Sequence, residues 1–395
     1  MARLSGVGPE ESFELADSDN NDDQDSEDSP PFFNTTFSTH RVSPLHVGPE
    51  GLTEDRLEII AHRLRDTLVG DVVRGVQVGL QATETPMGQV GPLKAVRVRW
   101  FQATTLLGDI DEESSTSDQN RRGLWIDVRH ENASYAGLLL PGLVTSGTQS
   151  NESQGSFLHL PLLLLRMPLP LKNVIMDWLA TAFDCRVSRL TLGTQTILGV
   201  WESWIETAGF RNNGPDFTLS LAFNAPLPPG GDASKDDPKE EAVHEAAPGL
   251  KSIDVTIPPL DLRRFARVGT HLPPLQSNTS NPWDNDLSQR RRLAGGNSDD
   301  GWAWLANKDT TAHPFTAALG RYLDYHLALN LFHPSTRVIQ ISCGGFVLGQ
   351  TRLKILKVGE MSEGLSRAAW AFVQHLGDRI KGDQLPRHFS TKFNE

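Results

Sequence analysis

Between Pro314 and Ile380 the spacing of apolar residues changes from helical to strand-like and back to helical. Phe315, Ala318, Leu319, Tyr322, Leu323, His326, Leu327 and Leu331 recur at i, i+3, i+4, i+7 and predict one helix with a continuous apolar stripe. Pro334 cannot continue it. From Arg337 to Cys343 the period drops to two, with Ile339, Ile341 and Cys343 on one face and Val338 on the other. Gly344-Gly345 lets the chain reverse, and Thr351 to Val358 returns as a second strand with Arg352 and Lys354 opposite Leu353 and Ile355. Leu365, Ala369, Phe372, Leu376 and Ile380 then restore the helical period behind Ser362, a helix-capping residue type. Helix, hairpin, helix is a unit built for pairing rather than for chemistry.

Upstream the same two periods alternate irregularly. Phe37 to Leu45 reads as a strand entering a Pro turn, and Thr53 caps a helix with Leu57, Ile60, Ala61, Leu64 and Leu68 as its buried stripe. Val72 to Leu80 and Lys94 to Phe101 read as strands, the second with Val96, Val98 and Trp100 on one face and Arg97 and Arg99 on the other. Leu124 to Val128 is a further strand, and a Leu-rich run ends at Leu165. A helix carries Ile175, Trp178, Leu179 and Phe183, stops at Asp184, and gives way to a strand from Val187 to Leu192. Ile197, Leu198, Trp201, Trp204 and Ile205 mark another helix. Phe217 to Phe223 alternates cleanly, Ile253 to Ile257 is a short strand, and Asp261 to Arg267 is one or two helical turns. Strands interrupted by single helices, without βαβ regularity, predict an α+β fold with a curved, largely antiparallel sheet and packed helices. The implied organisation is an acidic tail (1–30), an N-terminal α+β region (31–225), an insertion (226–249), a strand-helix segment (250–272), a second insertion (273–300) and a C-terminal α+β dimerisation region (301–395).

Charge alters this picture at one end. The chain of 395 residues has a net charge of -12, but residues 1–30 hold ten acids and one Arg. The remainder, 39 acids against 36 bases, is close to neutral and free to carry local basic surface. The tail has too little apolar surface to offset its chain entropy and is expected to be disordered, with Ser18, Ser26 and Ser29 in an acidic context suited to phosphorylation. Folded back onto a basic face, it would act as an electrostatic brake. Two cysteines, Cys185 and Cys343, exclude a disulfide framework and a zinc site by number. No apolar run reaches membrane length and no signal pattern opens the chain, so a soluble intracellular protein is expected.

Candidate chemistry is sparse, and no catalytic, metal or cofactor residue is assigned. His40, Ser43 and His46 crowd one stretch, but no nucleophile elbow surrounds them and Pro44 stiffens the turn, so they read as a structural strand-turn. Asp109, Asp111, Glu112 and Glu113 lack the calcium-loop spacing. Gly344-Gly345 and Gly349 precede a strand, whereas phosphate loops open a helix. Basic clusters are the remaining signal: Arg97 and Arg99, Arg121 and Arg122, Arg263, Arg264 and Arg267, Arg290 to Arg292, and Arg352, Lys354 and Lys357. On a sheet surface such groups track phosphates without reading bases, provided several converge in the fold. The rival readings are a small-molecule enzyme of α+β fold and a scaffold that binds proteins only.

Three stretches in order, Thr39 to Leu45 (THRVSPL), Leu160 to Leu190 (ending WLATAFDCRVSRL) and Tyr322 to Leu356 (with HPSTRVIQIS and TRLKIL), resemble the centromere protein L family in its filamentous-fungal form. The resemblance runs from Phe32 to about Ile380. It implies a non-enzymatic subunit of the inner kinetochore, within the constitutive centromere-associated network or Sim4 complex, in the nucleus. It also implies a heterodimer with a centromere protein N-like subunit through the C-terminal sheet, with Arg337, Val338, Ile339, Ile341, Cys343, Leu353, Ile355 and Leu356 at the interface. Contacts with other inner-kinetochore subunits follow, as does a basic groove for the DNA backbone of the centromeric nucleosome. Arg97, Arg99, Arg121, Arg122, Arg352, Lys354 and Lys357 are its candidate residues. No membrane contact is implied. The acidic tail and the two insertions depart from the family pattern.

Overall fold

The computed structural model describes residues 29–73, 90–102, 122–141, 156–210, 214–223, 250–272 and 313–357, together with six helical positions between 368 and 377. Within them eleven strands join into one sheet. In chain order these are β1 (Thr36–Val42), β3 (Leu93–Gln102), β4 (Arg122–His130), β5 (Ser134–Leu140), β7 (Leu162–Arg166), β8 (Val187–Arg189), β9 (Phe217–Phe223), β10 (Ser252–Ile257), β11 (Thr336–Ser342), β12 (Phe346–Gly349) and β13 (Arg352–Ile355). The short pair β2 (Leu45–His46) and β6 (Phe157–Leu158) stands apart. Across the sheet the order is β10-β9-β11-β12-β13-β1-β7-β5-β4-β3, every ladder antiparallel. β1 is the seam. One edge pairs with β7, and the other is shared end to end by β13, opposite Thr36 to Ser38, and β8, opposite His40 to Val42. Strands from Thr36 to Phe223 and from Thr336 to Ile355 therefore interleave in a single sheet.

Two apolar cores lie against opposite faces of this sheet. Helices α1 (Glu54–Val73) and α2 (Leu169–Phe183) cover one face of β3, β4, β5 and β7. Helices α3 (Thr194–Ala208), α4 (Pro259–Thr270) and α5 (Pro314–Leu327) cover the other, mainly behind β9, β11, β12 and β13. In the run Leu162 to Leu165, alternate residues enter alternate cores, so all four are buried. That is why the strand reads as a continuous apolar run. The local signals for the helices hold: the Arg56 N–H donates to Thr53 Oγ1 at 3.4 Å at the start of α1, and Asp184 closes α2 in the left-handed conformation, φ 45°. Leu57, Ile60, Ala61, Leu64 and Leu68 are the buried stripe of α1, as their spacing predicts.

Several elements differ from the sequence reading. The strand expected from Val72 begins inside α1, and its remainder lies outside the described residues. β5 was not anticipated: Gly137 to Leu140 is apolar throughout because both its faces are covered. The C-terminal hairpin is a three-stranded meander, in which β11 turns into β12 at Gly344-Gly345 and β12 turns into β13 at Gln350-Thr351. Neither Gly344 nor Gly345 takes a positive φ. Gly345 is needed for space, since a Cβ there would stand 2.2 Å from the Trp204 ring. A bulge at Ile339 shifts the parity of β11, so Val338 rather than Ile339 joins Ile341 in the core. The stripe of α5 is shorter than its spacing predicts: Ala328 ends the helix at φ 50°, and Tyr322 and Leu327 are exposed. Ala369, Phe372 and Leu376 are helical and buried, while Ser362, Leu365 and Ile380 lie outside the described residues. So do the two insertions, the acidic run up to Asp28, Arg290 to Arg292 and the acidic residues 109–113.

Candidate nucleic-acid interface

Residues paired across a ladder share a face, so the two cores assign every strand position to one side. Ser38 and His40 pair with Leu165 and Leu163, which belong to the core under α1 and α2. Arg352 and Lys354 pair with Ser38 and Thr36, and Arg189 pairs with His40, so all three lie on that side. Beyond β1, strands β9 to β13 contribute no residue to the core under α1 and α2 on this side. The sheet there presents Lys354 and Val347, then Ser342 and Thr218, with Gln340 and Ser220 alongside. Hydroxyl and amide side chains of this kind suit phosphate oxygens. Asp254, opposite Ser220, is the acid that β10 adds to this side.

Where the open face meets α2, basic groups from four elements converge. Lys172 of α2 is half-buried, and its ammonium is held below the usual lysine range first by burial, then by the charges of Arg352 and Arg189. His40 of β1 is also pushed down by burial first, then by Lys172, with Arg189 adding to it against a backbone hydrogen bond at Ser38. Arg189 donates to Thr351 Oγ1 at 3.4 Å. None of Lys172, Arg189, Arg352 and Lys354 forms a salt bridge with a described residue. Like charges gathered without a carboxylate among them are relieved by an anion.

The seven basic residues named from the sequence separate in the fold. Arg352 and Lys354 belong to this cluster, and Lys357 follows β13, its backbone N–H donating to Asn34 Oδ1 at 3.0 Å. Arg97 and Arg99 lie on the opposite face of β3, paired with Asp127 and Trp125, with β1, β7, β5 and β4 intervening before β13. Arg99 stacks 4.6 Å above the Trp125 ring. Burial raises the Asp127 carboxyl above its usual range, opposed by Arg129 at 2.8 Å and then by Arg99 and Arg97. Arg122 sits 5.4 Å over the Trp100 ring, and Arg121 lies outside the described residues. Lys172 and Arg189 were missed. Each reads as an isolated charge in an apolar segment, and only strand pairing brings them to Arg352.

The residues named for partner contact are mostly spent on the chain's own core. Val338, Ile341, Cys343, Leu353 and Ile355 are buried, while Arg337, Ile339 and Leu356 are half-buried. β11 lies between β9 and β12, and β13 between β12 and β1, so neither offers a free edge. At this end of the sheet the unpaired edge among the described residues belongs to β10. Elsewhere the polar candidates have structural partners: Ser43 Oγ accepts the Arg186 N–H at 2.8 Å, and His46 packs on Phe157. Both cysteines are free and buried, each thiol pushed up to about 11 by burial. Among the described residues no group of His, Cys, Asp and Glu is arranged to hold a metal, and no helix is long and apolar enough to cross a membrane.

The described part is thus a sheet with a core on each face and, on its open part, basic groups that form no salt bridge with a described residue. The family model for centromere protein L matches residues 31–380, and the chain belongs to that family. Its members are structural proteins of the kinetochore, which places this chain at the centromere, in the nucleus, in chromosome segregation. Among curated proteins, none matches the chain.

Proposed function

We propose that this chain is a non-enzymatic subunit of the constitutive centromere-associated network, the Sim4 complex, that pairs with a centromere protein N-like subunit and holds the backbone of centromeric DNA. The observation that carries the DNA reading is the convergence of Lys172, Arg189 and Arg352 with no carboxylate paired to them among the described residues. Phosphates would supply the negative charge, with Lys354 and the neighbouring hydroxyls extending the contact along the strand direction. Binding of this kind releases counterions and reads no bases. Partner pairing is supported by the edge of β10 that no described strand pairs with, whose backbone groups can accept another strand.

The test is the salt dependence of binding to a random-sequence DNA duplex, measured by fluorescence anisotropy on the intact chain. Arg189→Gln, Arg352→Gln and Lys354→Gln should each lower affinity equally across sequences. Each should also reduce the log–log salt slope by about 0.9 per lost phosphate contact. The same variants should still copurify with the partner subunit. Unchanged slopes in all three would sink the DNA reading and leave a scaffold that binds proteins only.

A further inference from the structure

The far end of the sheet carries a different surface. β3 has ten residues, and its ladder to β4 runs from Leu93 to Gln102 along one edge only. No described strand pairs with the other edge. A strand edge of this length presents a row of backbone donors and acceptors. Beside it α1 forms the second wall of an open groove of about 460 Å³. The groove wall is apolar where Leu57 and Ala61 of α1 meet Val96, Val98 and Trp100, and Glu54, Glu58, His62 and Arg65 also line its helix side. The strand side chains in the groove are alternate residues, so their spacing, about 6.6–6.8 Å, matches the side-chain repeat of a second strand laid alongside.

The intervening residues define what that strand should carry. Arg97 and Arg99 lie on the opposite face, paired across the ladder with Asp127 and Trp125. Arg97 is exposed. A strand added to β3 would place every second side chain in the groove and the others next to Arg97 and Arg99. Opposite charges directly across a ladder attract and like charges repel. We propose that the α1–β3 groove binds an extended segment of a partner protein in which apolar and acidic residues alternate, added to the sheet as a further strand. The apolar positions bury against Val96, Val98 and Leu57, and the acidic positions face Arg97 and Arg99. This surface lies on other strands than the basic cluster at β13 and does not depend on DNA binding.

A labelled synthetic peptide of alternating valine and glutamate, matched in length to β3, is titrated against the intact chain. A second peptide replaces glutamate with lysine. The acidic peptide should bind more tightly by about three- to tenfold, the span expected when two partly exposed cross-strand pairs change sign. It should slow exchange of the β3 amides that point away from β4, and Arg97→Glu should invert the preference. Arg97→Gln, which should only weaken it, serves as the second variant if the reversal lowers the melting temperature. Equal binding of the two peptides, or no inversion, overturns the proposal. So does slow exchange, in the free chain, of the β3 amides that point away from β4, which would mean that the edge is filled from within. Sedimentation showing a dimer abolished by β3 substitutions would assign the edge to a second copy, with the same consequence.

Discussion

Glu202 shows how far a single carboxylate can be withdrawn from water in this fold. It is 7% exposed, on α3, and its Oε1 accepts the Thr316 backbone N–H at 3.0 Å and the Thr316 hydroxyl at 2.8 Å. Thr316 lies in the first turn of α5, so a side chain distant in sequence satisfies a helix N-terminus that His313 does not cap. Burial nevertheless raises the Glu202 carboxyl above its usual range, ahead of those hydrogen bonds. A raised folded pKa means that the proton is held more tightly in the folded state. The associated stability is full below the unfolded glutamate pKa and is lost as pH rises through the folded one. The stability of the natural protein relative to Glu202→Gln should therefore fall as pH rises above the unfolded glutamate pKa of about 4, as read from thermal melts. Glu202→Ala should be less stable throughout by about 1–3 kcal/mol, because the Thr316 donors are left buried and unpaired. Nothing in the local sequence separates this glutamate from Glu206 one turn later. Arg352 and Lys354, by contrast, were legible as outward basic residues from their alternation with Leu353 and Ile355.

At the scale of elements, α4 and α5 meet through a residue that ordinary helix chemistry would replace. A Cβ on Gly269 would stand 1.8 Å from the Pro314 carbonyl oxygen, so the crossing is closed to any larger side chain. In an exposed helix, alanine would be favoured over glycine by about 1 kcal/mol. Here Gly269→Ala should destabilise by about 1–3 kcal/mol or force the helices apart, a sign reversal that urea unfolding would detect. An unchanged or increased midpoint would contradict so close an approach. Helices and cleanly alternating strands were legible because their period is written along the chain, as in α2, α3 and β9. β5 and the parity of β11 were not. A strand covered on both faces loses its alternation, and a bulge at Ile339 inverts the positions after it.

For the whole molecule, the central question is whether two cores mean two folding units. Leu163 and Leu164 are adjacent in β7 yet enter opposite cores, and both are fully buried. If the shared sheet makes one cooperative unit, Leu163→Ala and Leu164→Ala should each lower the midpoint of the same unfolding transition by about 2–5 kcal/mol. Two separable transitions, each sensitive to one variant, would show independent cores. The candidate sites follow the same geometry. Charges of β13, β8 and α2 meet only because β1 pairs with β13 and β8 along one edge. Arg97 and Arg99 are carried to the far end of the sheet and its other face.

The amino-acid sequence by itself determined the types of most elements, the antiparallel α+β class and, through the order of its motifs, membership of the centromere protein L family. These are local properties: a period of two or 3.6, a cap or a breaker acts within a few residues. Which strands are neighbours, which face each charge occupies and which apolar residues are spent on the core were decided by tertiary structure. Register couples residues more than a hundred positions apart, such as Ser38 with Leu165 and Thr36 with Lys354, and a shift of one residue would move every side chain to the other face.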